Sequence, residues 1–424
     1  MTHHQYDAKY KESEIEWIGS IPEHWSVVPL FSVLHERQVK NNDNQVTNVL
    51  SLSYGKIVPR DVESNYGLLP ESFTTYQIVE PGNIILRLTD LQNDKRSLRV
   101  GLVKELGIIT SAYLCLESVK AIDPDYAYYL LHSYDIIKVF YNLGGGVRQS
   151  IKFEDIKRLP IICPPLEEQR SIVSFLDQQT AKLDELVEKK QRLIDLLQEK
   201  RQALITQAVT KGLDPNVPMK DSGTEWLGEV PAHWNIAKLR WLIALRSGDF
   251  IENTNVTSNG CIPVYGGNGI MGYTIMANCN SNTIVIGRVG AMCGNVHLVT
   301  TPSWITDNAL YLTRYRGYNL NYLYYLFQSL NLNRFANKTA QPLITQSQIL
   351  DQFVPLPSIE EQESVVSWLT ENVKKFDFTI QLINKHISLI SEYRQALITA
   401  AVTGQIDVRE KMAVSADTIP AGKE

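Results

Sequence analysis

The ten residues EWIGSIPEHW (Glu16–Trp25) return as EWLGEVPAHW (Glu225–Trp234), with six letters identical at an offset of 209. A longer stretch repeats as well. Glu167–Thr210 aligns without gaps on Glu360–Thr403, an offset of 193, with 21 of 44 positions identical. Its ends match best: EEQRSIVSFL against EEQESVVSWL, and RQALITQAVT against RQALITAAVT. A duplication on this scale restricts the chain to folds built from two like halves. The order is phrase, divergent segment, shared segment, and then the same three again. Shared parts do one job twice; divergent parts do two different jobs of one kind.

The shared segments read as long helices. No Gly or Pro lies between Glu167 and Lys211, or between Ser358 and Thr403. Pro164 and Pro165 precede the first, and Gly212 with Pro215 follow it. Ser358 with Glu361 forms a capping-box pattern at the second. Apolar residues step by threes and fours: Ile172, Leu176, Leu183, Leu186, Leu193, Leu197, Leu204, and then Val365, Leu369, Phe376, Ile383, Ile387, Ile390, Leu397. This is a coiled-coil seam. A helix of this length spans roughly 66 Å at about 1.5 Å per residue. Its apolar stripe needs a partner, and the other copy supplies one.

The divergent segments carry short β-like runs (NIILRL, NTIVIGRV, NALYLTR) broken by Gly, Asn and Pro. Faint echoes run through them. IITSAYLCL (Ile108–Leu116) parallels WITDNALYL (Trp304–Leu312), and PGNIILRLTD (Pro81–Asp90) parallels NSNTIVIGRVG (Asn280–Gly290). DYAYYLL (Asp125–Leu131) parallels NYLYYLF (Asn321–Phe327), each in a Tyr-rich helix. Two small mixed α/β domains follow, in residues 1–160 and 216–353. The helices fill 161–215 and 354–407, and 408–424 reads as a disordered tail.

Several function classes are excluded or weakened. A chain of 424 residues exceeds one ordinary core. The polar start has no signal-peptide core, and no apolar run is long enough to span a membrane. Five cysteines without a CxxC pair fit a reducing cytoplasm and argue against structural zinc. His3 and His4 make no metal site by themselves. GGNGIMG holds Gly267, Gly269 and Gly272 in GxGxxG spacing, but in Asn/Gly-rich loop sequence, so it reads as a tight loop and not a dinucleotide site. There is no P-loop, and no acidic-Pro-Pro or Asn-Pro-Pro-aromatic motif for amino methyl transfer. Glu188 and Lys190 mimic a nuclease pair but fall on a solvated helix face.

Net charge is −5, yet residues 230–353 hold 8 Lys and Arg against 4 Asp and Glu. Polar loops beside basic residues are the candidates for DNA contact, because Arg reads guanine, Asn or Gln reads adenine, and Lys and Arg hold phosphates. In the first domain these are Arg37, Lys40 and Asn42, then Lys95, Arg96 and Arg99, then Arg148, Gln149 and Lys152. In the second they are Arg246, Asn268, Arg288, Asn295, His297, Lys338 and Gln341.

As an ordered set, the two phrases, the helix PPLEEQRSIVSFLDQQTAKLDELVEKKQRLIDLL, its second copy from LPSIEEQESVVSWL, and IPVYGGNGIMGYT followed by IVIGRVGAMCGNVH resemble the specificity subunit of type I restriction–modification systems. The resemblance covers nearly the whole chain. It implies an α+β fold in which two target-recognition domains are separated by two long antiparallel coiled-coil helices, with pseudo-twofold internal symmetry. It implies that each domain reads half of a split site in double-stranded DNA. The helices would set the spacer and dock two methyltransferase subunits, which carry the restriction/translocase subunits. Catalysis would lie in those partners, with S-adenosylmethionine for methyl transfer to adenine N6, and ATP and Mg for cleavage. This chain would hold no cofactor and be no enzyme by itself. Trp17, Trp25, Trp226 and Trp234 read as packing anchors at the domain–helix junctions. A coiled-coil scaffold with two protein-binding domains is the alternative; divergence between the domains favours readers of two different sequences.

Overall fold

The computed structural model describes residues 9–60, 72–89, 91, 98–143, 151–280, 282–337 and 342–408. His3 and His4 lie outside them. The chain folds as two compact units, Met1–Lys189 with His386–Glu424, and Lys190–Lys385. The division cuts both long helices, Leu166–Lys211 and Ile359–Val402. Each unit is therefore one divergent segment with part of each helix, whereas the sequence reading set the helices apart as segments of their own. The reason lies in the cores, which the helices complete.

In the first unit, strands Leu34–Glu36, Leu114–Ser118, Ile84–Leu86 and Val100–Leu102 lie side by side in that order, all antiparallel. One face carries Leu34, Ile84 and Leu86. Against it pack Tyr126, Leu130 and Tyr134 of helix Pro124–Ile136, with Ile172 and Leu176 of the first long helix and Leu397 and Ile398 of the second. The other face holds a smaller cluster of Leu50, Val79, Ile85, Val103, Ile109 and Cys115. A strand covered on both faces needs no polar alternation, which is why Ile84–Leu86 is all apolar. Asp123 accepts from the amides of Asp125 and Tyr126, and Pro124 opens the helix, so its N-terminus is fixed locally.

The second unit repeats this topology. Strands Ile243–Ser247, Ala309–Tyr315, Thr283–Gly287 and Val296–Val299 form the corresponding antiparallel sheet. Helix Leu320–Ser329 covers one face together with Ile205 and Val209 of the first long helix and Val365 and Leu369 of the second. Cys279, Val285, Val299, Ile305 and Tyr311 cluster on the other face. The sequence echoes noted above fall on matching strands and helices.

Within each unit the two helix segments run antiparallel. In the first, Arg394 Nε lies 3.6 Å from Asp184 Oδ1. In the second, Arg201 Nε lies 2.9 Å from Asp377 Oδ1. Arg201 and Arg394 are repeat partners, as are Asp184 and Asp377, so one ion pair is used once per unit. Partly exposed pairs of this kind contribute less to stability than to register. Gly212 and Gly404 sit at φ +74° and +73°, the left-handed geometry that ends a helix.

The seam differs from its expected course at two positions. Leu186 and Leu193 are 42% and 45% exposed, while Ile194 is buried. A straight α-helix drifts against a seven-residue repeat, and stepping by threes and fours cannot choose between neighbouring apolar residues. The expected positions on the second helix are all buried or half-buried. Of the expected tail, Val408 packs into the first unit's core, and 409–424 lie outside the described residues.

Candidate nucleic-acid interface

The repeated phrase anchors each divergent segment to a helix end. Trp25 is fully buried and donates its indole N–H to Glu168 Oε2 at 2.9 Å, while His24 Nε2 lies 2.7 Å from Glu168 Oε1. In the second unit Trp234 donates to Glu361 Oε1 at 2.9 Å, and His233 Nε2 lies 2.7 Å from the same oxygen. The next residue, fully buried Gln169 or Gln362, clamps the start of the Tyr-rich helix. Gln169 accepts from Asp123 N–H at 2.8 Å and donates to Pro164 O at 2.8 Å. Gln362 accepts from Asn319 N–H at 2.7 Å and donates to Gly317 O at 2.8 Å. The motif HW…EEQ is thus a two-sided joint. Trp17 stands edge-on to Tyr134, and Trp226 donates to Phe353 O. The sequence reading named the tryptophans, and Glu361 as the capping partner of Ser358, a pairing the structure holds, but missed Glu168, Gln169 and Gln362 and the place of Glu361 in the joint; their identity in both copies was the available signal.

The segment's far end is tied to the same joint. Strand Ser26–Pro29 pairs antiparallel with Pro160–Cys163, which leads into the first long helix. Asn235–Lys238 pairs in the same way with Phe353–Leu356. Chain entry and exit are zipped together, so the variable loops hang from a closed neck.

In the second unit four sequence candidates come together. Strands Ile262–Gly266 and Gly269–Thr274 form a hairpin whose two-residue tip is Gly267–Asn268. The turn after strand Thr283–Gly287 packs against that tip, backbone on backbone. A Cβ on Gly287 would stand 1.8 Å from Gly267 O, and one on Gly267 would stand 2.6 Å from Val289 O. The glycines of GGNGIMG therefore serve close loop approach in a hairpin, where a dinucleotide site would need a strand-to-helix turn. Asn295 donates to the exposed Asn268 Oδ1 at 2.7 Å. His297 lies beneath Gly269, and its burial pushes its pKa down, which favours the neutral ring. Arg288 reaches Ser247 Oγ at 3.3 Å, and its buried Nε has no hydrogen-bond partner among the described residues. Arg246 pairs with Asp249 on the surface. Between hairpin and turn lies a groove of about 540 Å³, lined by Gly266–Met271, Val289–Met292 and Asn308. Asn308 and the apolar lining were not among the sequence candidates, because nothing local marks them.

In the first unit, Arg37 donates to Ile78 O and pairs with Glu80 at 2.6 Å. Lys40 and Asn42 are exposed, and Lys152 is exposed at the start of the short helix Phe153–Ile156. Arg99 is a correction. It is fully buried, donating from Nη1 to Arg87 O at 3.0 Å and Thr89 O at 2.7 Å, and from Nε to Tyr141 OH at 3.0 Å. A guanidinium so enclosed organises the loop and does not reach DNA. Lys95, Arg96, Arg148, Gln149, Lys338 and Gln341 lie outside the described residues.

Among the described residues no group of His, Cys, Asp and Glu could hold a metal ion. No helix there is long and apolar enough to cross a membrane. The sequence model of the family described as "Type I restriction modification DNA specificity domain" matches residues 101–196 and 231–389. The chain is 24% identical to the type I restriction enzyme MjaVIII specificity subunit of Methanocaldococcus jannaschii, over 94% of this chain and 97% of that one. It is 30% identical to the EcoprrI specificity subunit of Escherichia coli over 140 residues, 32% of this chain and 34% of that one. Its fold is similar to a chain in a solved structure concerned with complex assembly and conformational transition of the type I R-M system. The TM-score is 0.65 at 16% identity, covering 90% of this chain and 98% of that one. With the family model spanning more than half its length, twice in the order that the internal duplication dictates, the chain belongs to the type I restriction–modification DNA specificity family.

Proposed function

We propose that the chain is the sequence-reading subunit of a type I complex, with each unit reading one half of a bipartite site in double-stranded DNA. The observation that carries this reading is one joint and one sheet topology used twice beneath loops that differ almost completely. A symmetric scaffold would have no use for that divergence. The helices are the spacer: the distance between half-sites follows from their length, and four added residues extend a helix by about 6 Å. The partners are two methyltransferase subunits seated on the helices, and restriction/translocase subunits held through them. Exposed apolar residues support docking on each helix: Leu186, Leu193 and Leu196 on the first, and Phe378, Leu382, Leu389 and Tyr393 on the second. S-adenosylmethionine, ATP and Mg belong to those partners, and the chain alone transfers no methyl group.

The test is sequencing with detection of methylated adenine, in cells carrying this chain and its methyltransferase partner. The expected motif is split and asymmetric, with an unspecified gap. Lengthening the first helix by four residues near 199–203 widens that gap by one or two base pairs, at about 3.4 Å each, and leaves the bases unchanged. A single unbroken motif would overturn the bipartite reading. A fixed gap in the lengthened chain would remove the helices as spacer.

A further inference from the structure

The groove of the second unit has a chemical character that the sequence did not announce. We infer that it reads the major-groove edge of an A·T base pair, with Asn268 on the adenine and Met271 or Met292 on the thymine methyl. The inference rests on the DNA-reading function proposed above and specifies what one unit reads.

Among the described residues the lining carries no charged side chain. Its polar side chains are two amides, Asn268 and Asn308, and the rest is glycine, Ile270, Met271, Val289, Ala291 and Met292. Ile270, Met271 and Met292 are each more than half exposed. Three large apolar side chains at the rim of one groove call for an apolar counterpart. A phosphate is poorly served here. Among the described residues no cation faces it, and three of the turn's amides are committed elsewhere: Gly287, Arg288 and Gly290 donate to Asn295 O, Asn308 O and Pro342 O. On a major-groove edge the thymine methyl is the one apolar group, and guanine is read best by Arg or Lys. Adenine offers an acceptor beside a donor, which one carboxamide matches with two bonds. Two amides among apolar lining residues therefore suit A·T better than G·C.

Asn268 is also held for the task. Asn295 donates to its Oδ1, which fixes which end of the Asn268 amide points which way. That oxygen keeps a second lone pair, and the NH2 group is left to donate. Asn295 is a positioning residue and Asn268 the reader. Met271 lies over the backbone of Gly266, where a Cβ would come within 3.0 Å of its sulfur, so its place beside the hairpin tip is set by that glycine.

The methylated motif is first mapped, and the half that changes when residues 235–356 are exchanged is assigned to the second unit. Each thymine of that half is then replaced singly by uracil, which pairs identically but lacks the methyl. Binding of the duplexes by the full chain with its methyltransferase partner is measured. One replacement is expected to weaken binding about fivefold, the lower end of one specific base contact, and replacements in the other half to change nothing. On the unmodified duplex, Asn268→Ala is expected to lose about tenfold or more. Asn295→Asp, which cannot donate to Asn268 Oδ1, should show a similar loss, and both losses should disappear once that A·T pair is mutated. A half-site without A·T pairs, or uracil substitution without effect at every thymine, overturns the inference and leaves the bipartite reading intact. Failure to find a split motif at all would instead sink the underlying function.

Discussion

Trp234→Ala lowers the stability of the second unit by about 3–5 kcal/mol, the cost of emptying a large buried aromatic site. The side chain is 1% exposed, and its ring lies 3.3 Å from where a Cβ on Gly212 would stand. It also joins the phrase to the start of the second helix through Glu361. Losing it opens a cavity beside Gly212, at the end of the first long helix. Trp241→Ala is the control, because Trp241 is 74% exposed and its loss changes stability by less than about 0.5 kcal/mol. Urea unfolding followed by circular dichroism compares them, with each unit's transition fitted separately because two-state behaviour is not assured in a chain of two units. A loss below about 1 kcal/mol for Trp234→Ala would show that the joint is ornamental. The joint also has an acid limit. Burial works against the Glu361 carboxylate, but hydrogen bonds from Trp234, His233 and Ser358 outweigh it and hold its pKa below the usual glutamate value. A lowered folded pKa means stability that is present at neutral pH. It fades as pH falls through the range below that of an ordinary glutamate.

Arg99→Ala costs the first unit on the order of 3 kcal/mol. Truncation leaves the Arg87 and Thr89 carbonyls and the Tyr141 hydroxyl without this donor, at about 1–3 kcal/mol for each group left buried and unpaired. The backbone bond from Arg99 N–H to Asp135 Oδ2, 2.7 Å, survives the change. DNA binding then falls only through the folded population, and conditions that restore folding restore binding. Thermal unfolding and duplex titration on the same samples separate the two. Unchanged stability with lost binding would return Arg99 to the list of DNA contacts.

The duplication made the architecture readable, because two copies act as a minimal comparison. Positions identical in both, such as Arg201 with Arg394 and Trp25 with Trp234, proved to be joint and register residues. The helix ends were legible because Pro164, Pro165 and Gly212 act through the backbone alone. The seam was legible only to within one residue, since Leu193 and Ile194 are equally apolar and the choice between them is made by helical drift. The candidate DNA contacts were the hardest to read. Arg99 and Arg96 look alike in a polar loop, yet Arg99 is enclosed by the carbonyls of Arg87 and Thr89, 12 and 10 positions away, and the hydroxyl of Tyr141, 42 positions away. Asn268 and Asn295 were both found as amides in Gly-rich loops. That they pair across 27 positions, and that Met271 and Met292 share their groove, depends on packing between separate loops, which no local pattern encodes.

The most direct test of two independent readers is domain exchange followed by methylation sequencing. Residues 26–160 follow the first phrase and include the neck strand Ser26–Pro29 and Pro160 of its partner, so replacement by the same segment of another family member keeps Trp25, Glu168 and Gln169 of the joint. The result expected is a motif in which one half changes, the other half keeps every base, and the gap is unaltered. Simultaneous change in both halves, or no change in either, would contradict the assignment of one half-site to each unit.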